Sequence, residues 1–203
     1  MPQRRIGMFG GAFDPPHIAH VALARAAVEQ LKLDELRIFP TGKAWHKSTD
    51  LTPAQHRLAL AQIAFERLPN TVVDDRELLR PGPTYTIDTL RELAAEHPKA
   101  ELFIVMGQDQ AVQFQRWKDW EAIARMAVIC VAARAHAESV DSSDASALAG
   151  LPQNARVCTI ELPHMPESAT EVRAMVAHGE GIAHMVPPGV ARYIDTHNLY
   201  TPA

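Results

Sequence analysis

Residues 10–20, GGAFDPPHIAH, decide how the rest of this chain is read. An apolar run, IGMF at 6–9, precedes the stretch, and a helix-like segment follows it. Gly10 and Gly11 permit a tight turn and a close approach of backbone to a ligand. Pro15 and Pro16 fix the loop and can occupy a helix's first turn, where no N–H is needed. His17 and His20 are three apart and share a helix face. A helix N-terminus carries partial positive charge and spare N–H donors. Imidazolium there is unfavourable unless an anion lies between the rings and the helix end. A phosphate removes the conflict, since amides and both imidazoles then point at it. Two plainer readings stand beside this one: a capped helix with two partly exposed histidines, and a two-histidine metal site, for which no third ligand is evident nearby. The stretch is neither a P-loop, because no Gly-Lys-Ser/Thr follows, nor the GxGxxG fingerprint.

Outward from it, short apolar runs recur: LRIF (36–39), TVVD (71–74), LFIVM (102–106), AVICVA (127–132) and VCTI (157–160). Continuous rather than alternating apolar runs suit strands of a parallel sheet covered on both faces. Between them, Val21, Ala24, Val28 and Leu31 recur at helical steps, as do Leu58, Ala61, Phe65 and Leu68, and then Ile87, Leu90 and Leu93. This alternation predicts an α/β fold, a Rossmann-like open parallel sheet with helices on both faces. One domain over 1–203 is expected, with a Ser/Ala-rich mobile excursion at about 136–154. VPPGVARYIDTHNLY near the C-terminus is expected to close the fold with a short helix. PTGKAWHKS, LLRPGPTYT, GQD, ARAH and PHMPESATEVR each follow an apolar run. In an open parallel sheet ligands bind outside the carboxyl ends of the strands. The unusual residues therefore collect on one edge.

Composition narrows the class. The 203 residues are 47% hydrophobic and 22% charged, with a formal charge of -4. That suffices for one sizeable core. It argues against nucleic acid as a partner, because polyanion binders are usually basic. No run reaches the about 18 apolar residues of a membrane span, and MPQRR does not open a signal peptide. Cys130 and Cys158 sit in apolar runs without CxxC spacing, and read as buried strand cysteines. A cytoplasmic enzyme fits these features.

A second cluster repeats the conflict of the first. In PESATEVR, Ser168 and Glu171 form the S-x-x-E pattern of a capping box. Arg173 then lies one turn into the helix, near its positive end, where a permanent cation calls for phosphate oxygens. Ser168 and Thr170 add hydroxyl and backbone donors. His46 and Lys47 belong to a basic loop, either solvated or a mobile phosphate clamp.

GGAFDPPHIAH closely resembles the GGxFDPxHxGH signature of the nucleotidyltransferases with a Rossmann-like fold, and SATEVR resembles their second signature. More narrowly, PTYTIDTL (83–90), GQDQ (107–110), FQRWKDWE (114–121) and VPPGVARYI resemble the bacterial nicotinate-nucleotide adenylyltransferase branch. The resemblance covers nearly the whole chain except about 136–156. It implies adenylyl transfer from ATP to nicotinate mononucleotide, giving deamido-NAD and pyrophosphate, a step of NAD biosynthesis. It implies that His17 and His20 bind the ATP phosphates, that Gly10, Gly11 and Phe13 line the nucleotide site, and that Ser168, Thr170 and Arg173 hold ATP from the far side. Thr86 and backbone near Trp117 would hold the nicotinate carboxylate, with Trp117 stacked on the pyridine. Gly107 and Asp109 would lie beside the ribose or the reacting phosphates, and His46 and Lys47 beside the acceptor. Three positions depart from the pattern: Ala19 for the usual Gly, Glu167 for an apolar residue, and Arg134-Ala135-His136 for an Arg-Pro-Gly turn.

The implied reaction needs little acid–base chemistry, because a phosphate monoester is already largely ionised at pH 7, its second pKa being about 6. Catalysis would rest on positioning and electrostatics, from His17, His20, Arg173 and a Mg²⁺ arriving with ATP. No covalent enzyme intermediate is expected. Nicotinamide mononucleotide and phosphopantetheine are alternative acceptors. A non-catalytic nucleotide sensor is the alternative of another class.

Overall fold

The computed structural model describes residues 3–44, 51–134, 151–152 and 155–202. His46, Lys47 and all of the 136–154 excursion except Leu151 and Pro152 lie outside the described residues. The chain runs β1 (Arg5–Gly11), α1 (Ile18–Gln30), β2 (Glu35–Pro40), β3 (Lys43–Ala44), α2 (Ala54–Phe65), β4 (Thr71–Val73), α3 (Arg76–Leu79), β5 (Pro83–Thr84) and α4 (Thr86–Glu96). It continues with β6 (Glu101–Met106), α5 (Gln108–Val112), a 3-10 turn (Phe114–Arg116), α6 (Trp120–Met126), β7 (Ala127–Arg134), β8 (Val157–Leu162), α7 (Ala169–Ala177) and α8 (Pro188–Thr196).

Six strands form one sheet in the order β4-β2-β1-β6-β7-β8, every neighbour parallel. Each predicted apolar run is one of these strands, and each helical set falls on α1, α2 or α4, except that Leu31 is the C-cap of α1 and Leu68 lies beyond the end of α2. The central strands β1 and β6 are apolar at successive positions because both their faces are buried, whereas the edge strands β4 and β8 are partly exposed. Along β6, Leu102, Ile104 and Met106 pack into one cluster with Ile6, Ile87, Phe114 and Ile123, while Phe103 and Val105 join the other with Phe9, Leu23, Leu60 and Val172. A period of two feeding two cores is what a covered parallel sheet requires.

Strand order reverses between β1 and β6, where an open parallel sheet leaves a crevice at its carboxyl edge. GGAFDPPHIAH runs from the end of β1 into α1, and GQDQ leads from β6 into α5. The two-residue strands β3 and β5 pair beside the main sheet; nothing in their length or composition marks them in the sequence.

Candidate active site

The first loop differs in one respect from its sequence reading. Gly10 and Gly11 are still strand, paired with Phe39 and Pro40 of β2. The turn's left-handed backbone falls on Phe13, at φ 48. A side chain resists that conformation, so it persists only where the surroundings hold it. The Phe13 ring supplies the hold: it is 1% exposed and packs edge-on between Phe9 and Phe65, each at 5.5 Å, and against His20 at 5.2 Å. A Cβ on Gly11 would meet this ring at 3.0 Å, whereas one on Gly10 would meet nothing nearer than Phe39 O at 4.0 Å. Gly11 thus makes room for Phe13, and Gly10 leaves space in the cleft.

Two buried charged side chains, neither singled out by the sequence analysis, fix this loop. Arg57 of α2 is 3% exposed, and its guanidinium donates to the carbonyls of Ala12 (3.0 Å), Thr41 (2.7 Å) and Thr52 (2.9 Å). Burial lowers its pKa, against the raising influence of Asp14 and Tyr200. Asp14 accepts from the Thr52 amide (3.0 Å) and the Tyr200 hydroxyl (2.7 Å). Burial, then Asp14, pushes the Tyr200 phenol up, which keeps it a donor. The anion loop, both flanks of the 43–50 segment and the C-terminal residues are thereby one hydrogen-bonded unit. An Arg at a helix position among apolar neighbours gives no sign of such a role.

His17 is the N-cap of α1, with extended backbone, and His20 is its third residue. The His17 amide donates to His20 Nδ1 (3.2 Å), so the neutral His20 ring carries its proton on Nε2. The two rings lie 3.7 Å apart at 33°. His17 is buried, its Nδ1 has no hydrogen-bond partner among the described residues, and burial lowers its pKa to about 4. The helix end offers fewer spare amides than expected, because Ile18 N donates to Met185 O (2.9 Å) in the turn before α8. His17 and His20 both line the cleft.

On the same face of the sheet as α1, Ser168 caps α7 by accepting from Glu171 N (3.2 Å), as S-x-x-E predicts. Arg173 donates through Nη1 to Asp14 O (2.7 Å) and through Nη2 to Thr170 Oγ1 (3.3 Å). The two motifs therefore touch. Glu167, one of the departures, has a buried Oε2 without a partner.

On the other side of the crevice, Thr86 is the first residue of α4, with Tyr85 at the N-cap position. Lys118 Nζ lies 4.2 Å from the centre of the Tyr85 ring, and Trp117 packs on Phe114 at 5.5 Å. Gly107 is the N-cap of α5, and Asp109 Oδ1 would meet a Cβ there at 2.8 Å. Glu77 is 4% exposed; its carboxyl accepts from Thr89 Oγ1 (2.8 Å), which in turn accepts from Arg80 Nη1 (3.0 Å). Burial foremost pushes Glu77 up to about 7, against the Thr89 bond and Arg80. Gly10, Gly11, Phe13, His17, His20, Thr86, Gly107, Asp109, Trp117, Ser168, Thr170 and Arg173 all line a single cleft of about 1110 Å³, and so does Glu77. His17, His20 and Arg173 lie at its β1/α7 side, and Tyr85 and Trp117, with the cation Lys118, at its α4/114–118 side.

A parallel sheet with that strand order, and a cleft of that chemistry at its switch point, define a nucleotidyltransferase of the cytidylyltransferase-like class, whose family matches residues 8–175. A relative in Albidiferax ferrireducens, named "Probable nicotinate-nucleotide adenylyltransferase", is 52% identical over 202 residues, which are 98% of this chain and 100% of the relative. One of the same name in Methylibium petroleiphilum is 42% identical over 99% of this chain and 94% of its own. The chain belongs to the nicotinate-nucleotide adenylyltransferase family. The solved structure of Plasmodium falciparum nicotinic acid mononucleotide adenylyltransferase complexed with NaAD shares the fold, at a TM-score of 0.77 and 20% identity, covering 98% of each chain.

Proposed function

We propose that this chain transfers the adenylyl group of ATP to nicotinate mononucleotide, releasing pyrophosphate and forming deamido-NAD. The observation that carries the reading is the meeting of its two motifs. Arg173 and Asp14, 159 positions apart, are hydrogen-bonded at 2.7 Å in a cleft that Thr86 and Trp117 also line. Arg173 and the two histidines suit a triphosphate, and Trp117 suits a pyridine ring.

In the reaction a 5′-phosphate oxygen of the acceptor attacks the α-phosphorus of ATP in line, and the bond from that phosphorus to the pyrophosphate oxygen breaks. Two anions must be brought together and charge on the leaving group stabilised. His17, His20 and Arg173 are assigned to the phosphates, and Gly10 and Gly11 to close backbone approach. Ser168 and Thr170 are assigned to ATP from the α7 side. Phe13 acts from beneath the loop, through its packing. Thr86 and Trp117 hold the acceptor's ring and carboxylate, with Gly107 and Asp109 beside the ribose or phosphates. His46 and Lys47 are assigned to the acceptor on sequence grounds. Mg²⁺ suits the site as an ion carried in by ATP: Asp109 is an exposed carboxylate on the cleft, and hard cations take carboxylate, phosphate and water oxygens. When bound it supplies neutralisation of phosphate charge.

The test is pyrophosphate release with ATP and Mg²⁺, comparing nicotinate mononucleotide, nicotinamide mononucleotide and phosphopantetheine. Strong preference for the acid is expected. Preference for either other acceptor overturns the substrate assignment, and ATP binding without release on any of them points to a sensor.

A further inference from the structure

Sequence spacing leaves Cys130 and Cys158 as two unrelated strand cysteines. The sheet places them side by side. They are Cα partners in the parallel pairing of β7 and β8. Paired residues on neighbouring strands send their side chains to the same face. Both do so here, Cys130 within the α1-side core and Cys158 packed against it. Neighbouring strands run about 4.8 Å apart, inside the window of roughly 4.4–6.8 Å between Cα atoms that a disulfide spans. Both cysteines are free thiols, and they are the chain's only two.

The two differ in reach. Cys130 is buried, while Cys158 is half-buried on β8, the edge strand of the sheet. The Cys130 thiol donates to the Val128 carbonyl (3.8 Å). The neighbouring Cys158 first, and burial with it, raises Cys130 from the ordinary thiol range, while the neighbouring Cys130 lowers Cys158 against the effect of burial. Arg5 lowers both, and Glu101 raises Cys130. An accessible sulfur with more thiolate character beside a buried protonated one is the pairing of an attacking and a resolving cysteine.

We infer that Cys158 and Cys130 form an intramolecular disulfide on exposure to a low-molecular-weight disulfide oxidant, with Cys158 attacking first and Cys130 resolving. With glutathione disulfide, the Cys158 thiolate attacks one sulfur and a glutathione thiolate leaves. The Cys130 sulfur then attacks Cys158 in the mixed disulfide, and the second glutathione leaves. Two protein thiols are oxidised to one disulfide, one glutathione disulfide is reduced to two thiols, and the two protons end on the glutathiones. Among the described residues β8 pairs with a strand on one side only and is otherwise tied at Glu161 by the Gln30 side chain, three residues beyond Cys158, so the strand can shift at Cys158 to bring the sulfurs to bonding distance.

The experiment is intact-mass analysis of the native, folded protein incubated with glutathione disulfide, with peptide mapping and a thiol count. Wild type is expected to lose two hydrogens and both free thiols. Cys130→Ser is expected to stop at one glutathionyl adduct on Cys158, and Cys158→Ser to remain unmodified over the same time. A wild type that accumulates the glutathionyl adduct overturns the pairing, as does one left unmodified under conditions that modify Cys130→Ser. Cys158→Ser reacting as fast as wild type overturns the order of attack. The wild-type mass alone decides the pairing if a variant does not fold.

Discussion

The His17 imidazole is the most informative group to perturb, because its empty-site state opposes its assigned role. Burial takes its pKa from 6.5 to about 4. That drop corresponds to about 3 kcal/mol against the buried imidazolium. Between those values the unfolded chain holds a proton on this ring that the folded chain lacks. The contribution to folding is full above pH 6.5 and is lost as pH falls toward 4. A phosphate group against Nδ1 reverses the balance, since it supplies both an acceptor and a negative charge. ATP binding near pH 6 should therefore take up a proton. The uptake is read as the dependence of calorimetric binding heat on the buffer's ionisation heat, and the pKa itself by NMR titration of the ring Cε1–H with and without ATP. His17→Ala should lose the uptake and slow turnover more than it weakens ATP binding. A ring titrating near 6.5 in the ligand-free protein would refute the burial argument. Equal uptake in wild type and His17→Ala would refute contact with phosphate.

Glu77 acts oppositely on stability: its carboxyl, pushed from 4.5 up to about 7, contributes most below 4.5, and up to about 3 kcal/mol is lost as pH rises to about 7. The two slopes offset each other in wild type, so urea unfolding of Glu77→Gln should show stability rising with pH across 4–7, and an unchanged profile would count against the raised carboxyl. Tyr200→Phe removes one donor from buried Asp14 and should cost about 1.5–3 kcal/mol by the same assay; a change under half a kcal/mol would mean the hydroxyl is easily replaced by water. Trp117→Ala should raise the KM for nicotinate mononucleotide roughly 5- to 150-fold, the equivalent of about 1–3 kcal/mol of stacking, with little change in the KM for ATP. Equal effects on both substrates would end the stacking assignment.

Much of the site was legible because its residues conflict with their local surroundings. Histidines at a helix start and an Arg one turn into another helix each signal a missing anion without any tertiary information. The Ser168 cap was legible for a related reason: hydrogen bonds between positions three apart follow from local geometry. Arg57, Asp14 and Tyr200 were not. Their partners lie in other segments, and Arg57 satisfies backbone carbonyls, which every residue offers, so no side-chain type marks the pairing. Glu77 was missed likewise, since nothing in RELL distinguishes a buried carboxyl from an exposed one.

The sequence by itself determined the six strands of the main sheet, the helices α1, α2 and α4 and the two phosphate-seeking motifs, because hydrophobic period and helix-end chemistry are properties of neighbouring residues. Tertiary structure alone decided what depends on distance between segments. It carried the strand through Gly10 and Gly11 and moved the turn's strain onto Phe13, held by a ring pocket from β1 and α2. It turned His17 into a buried, neutral cap, because desolvation is set by what packs over a residue. It also brought Cys130 beside Cys158, a neighbour relation that strand register creates and chain spacing conceals.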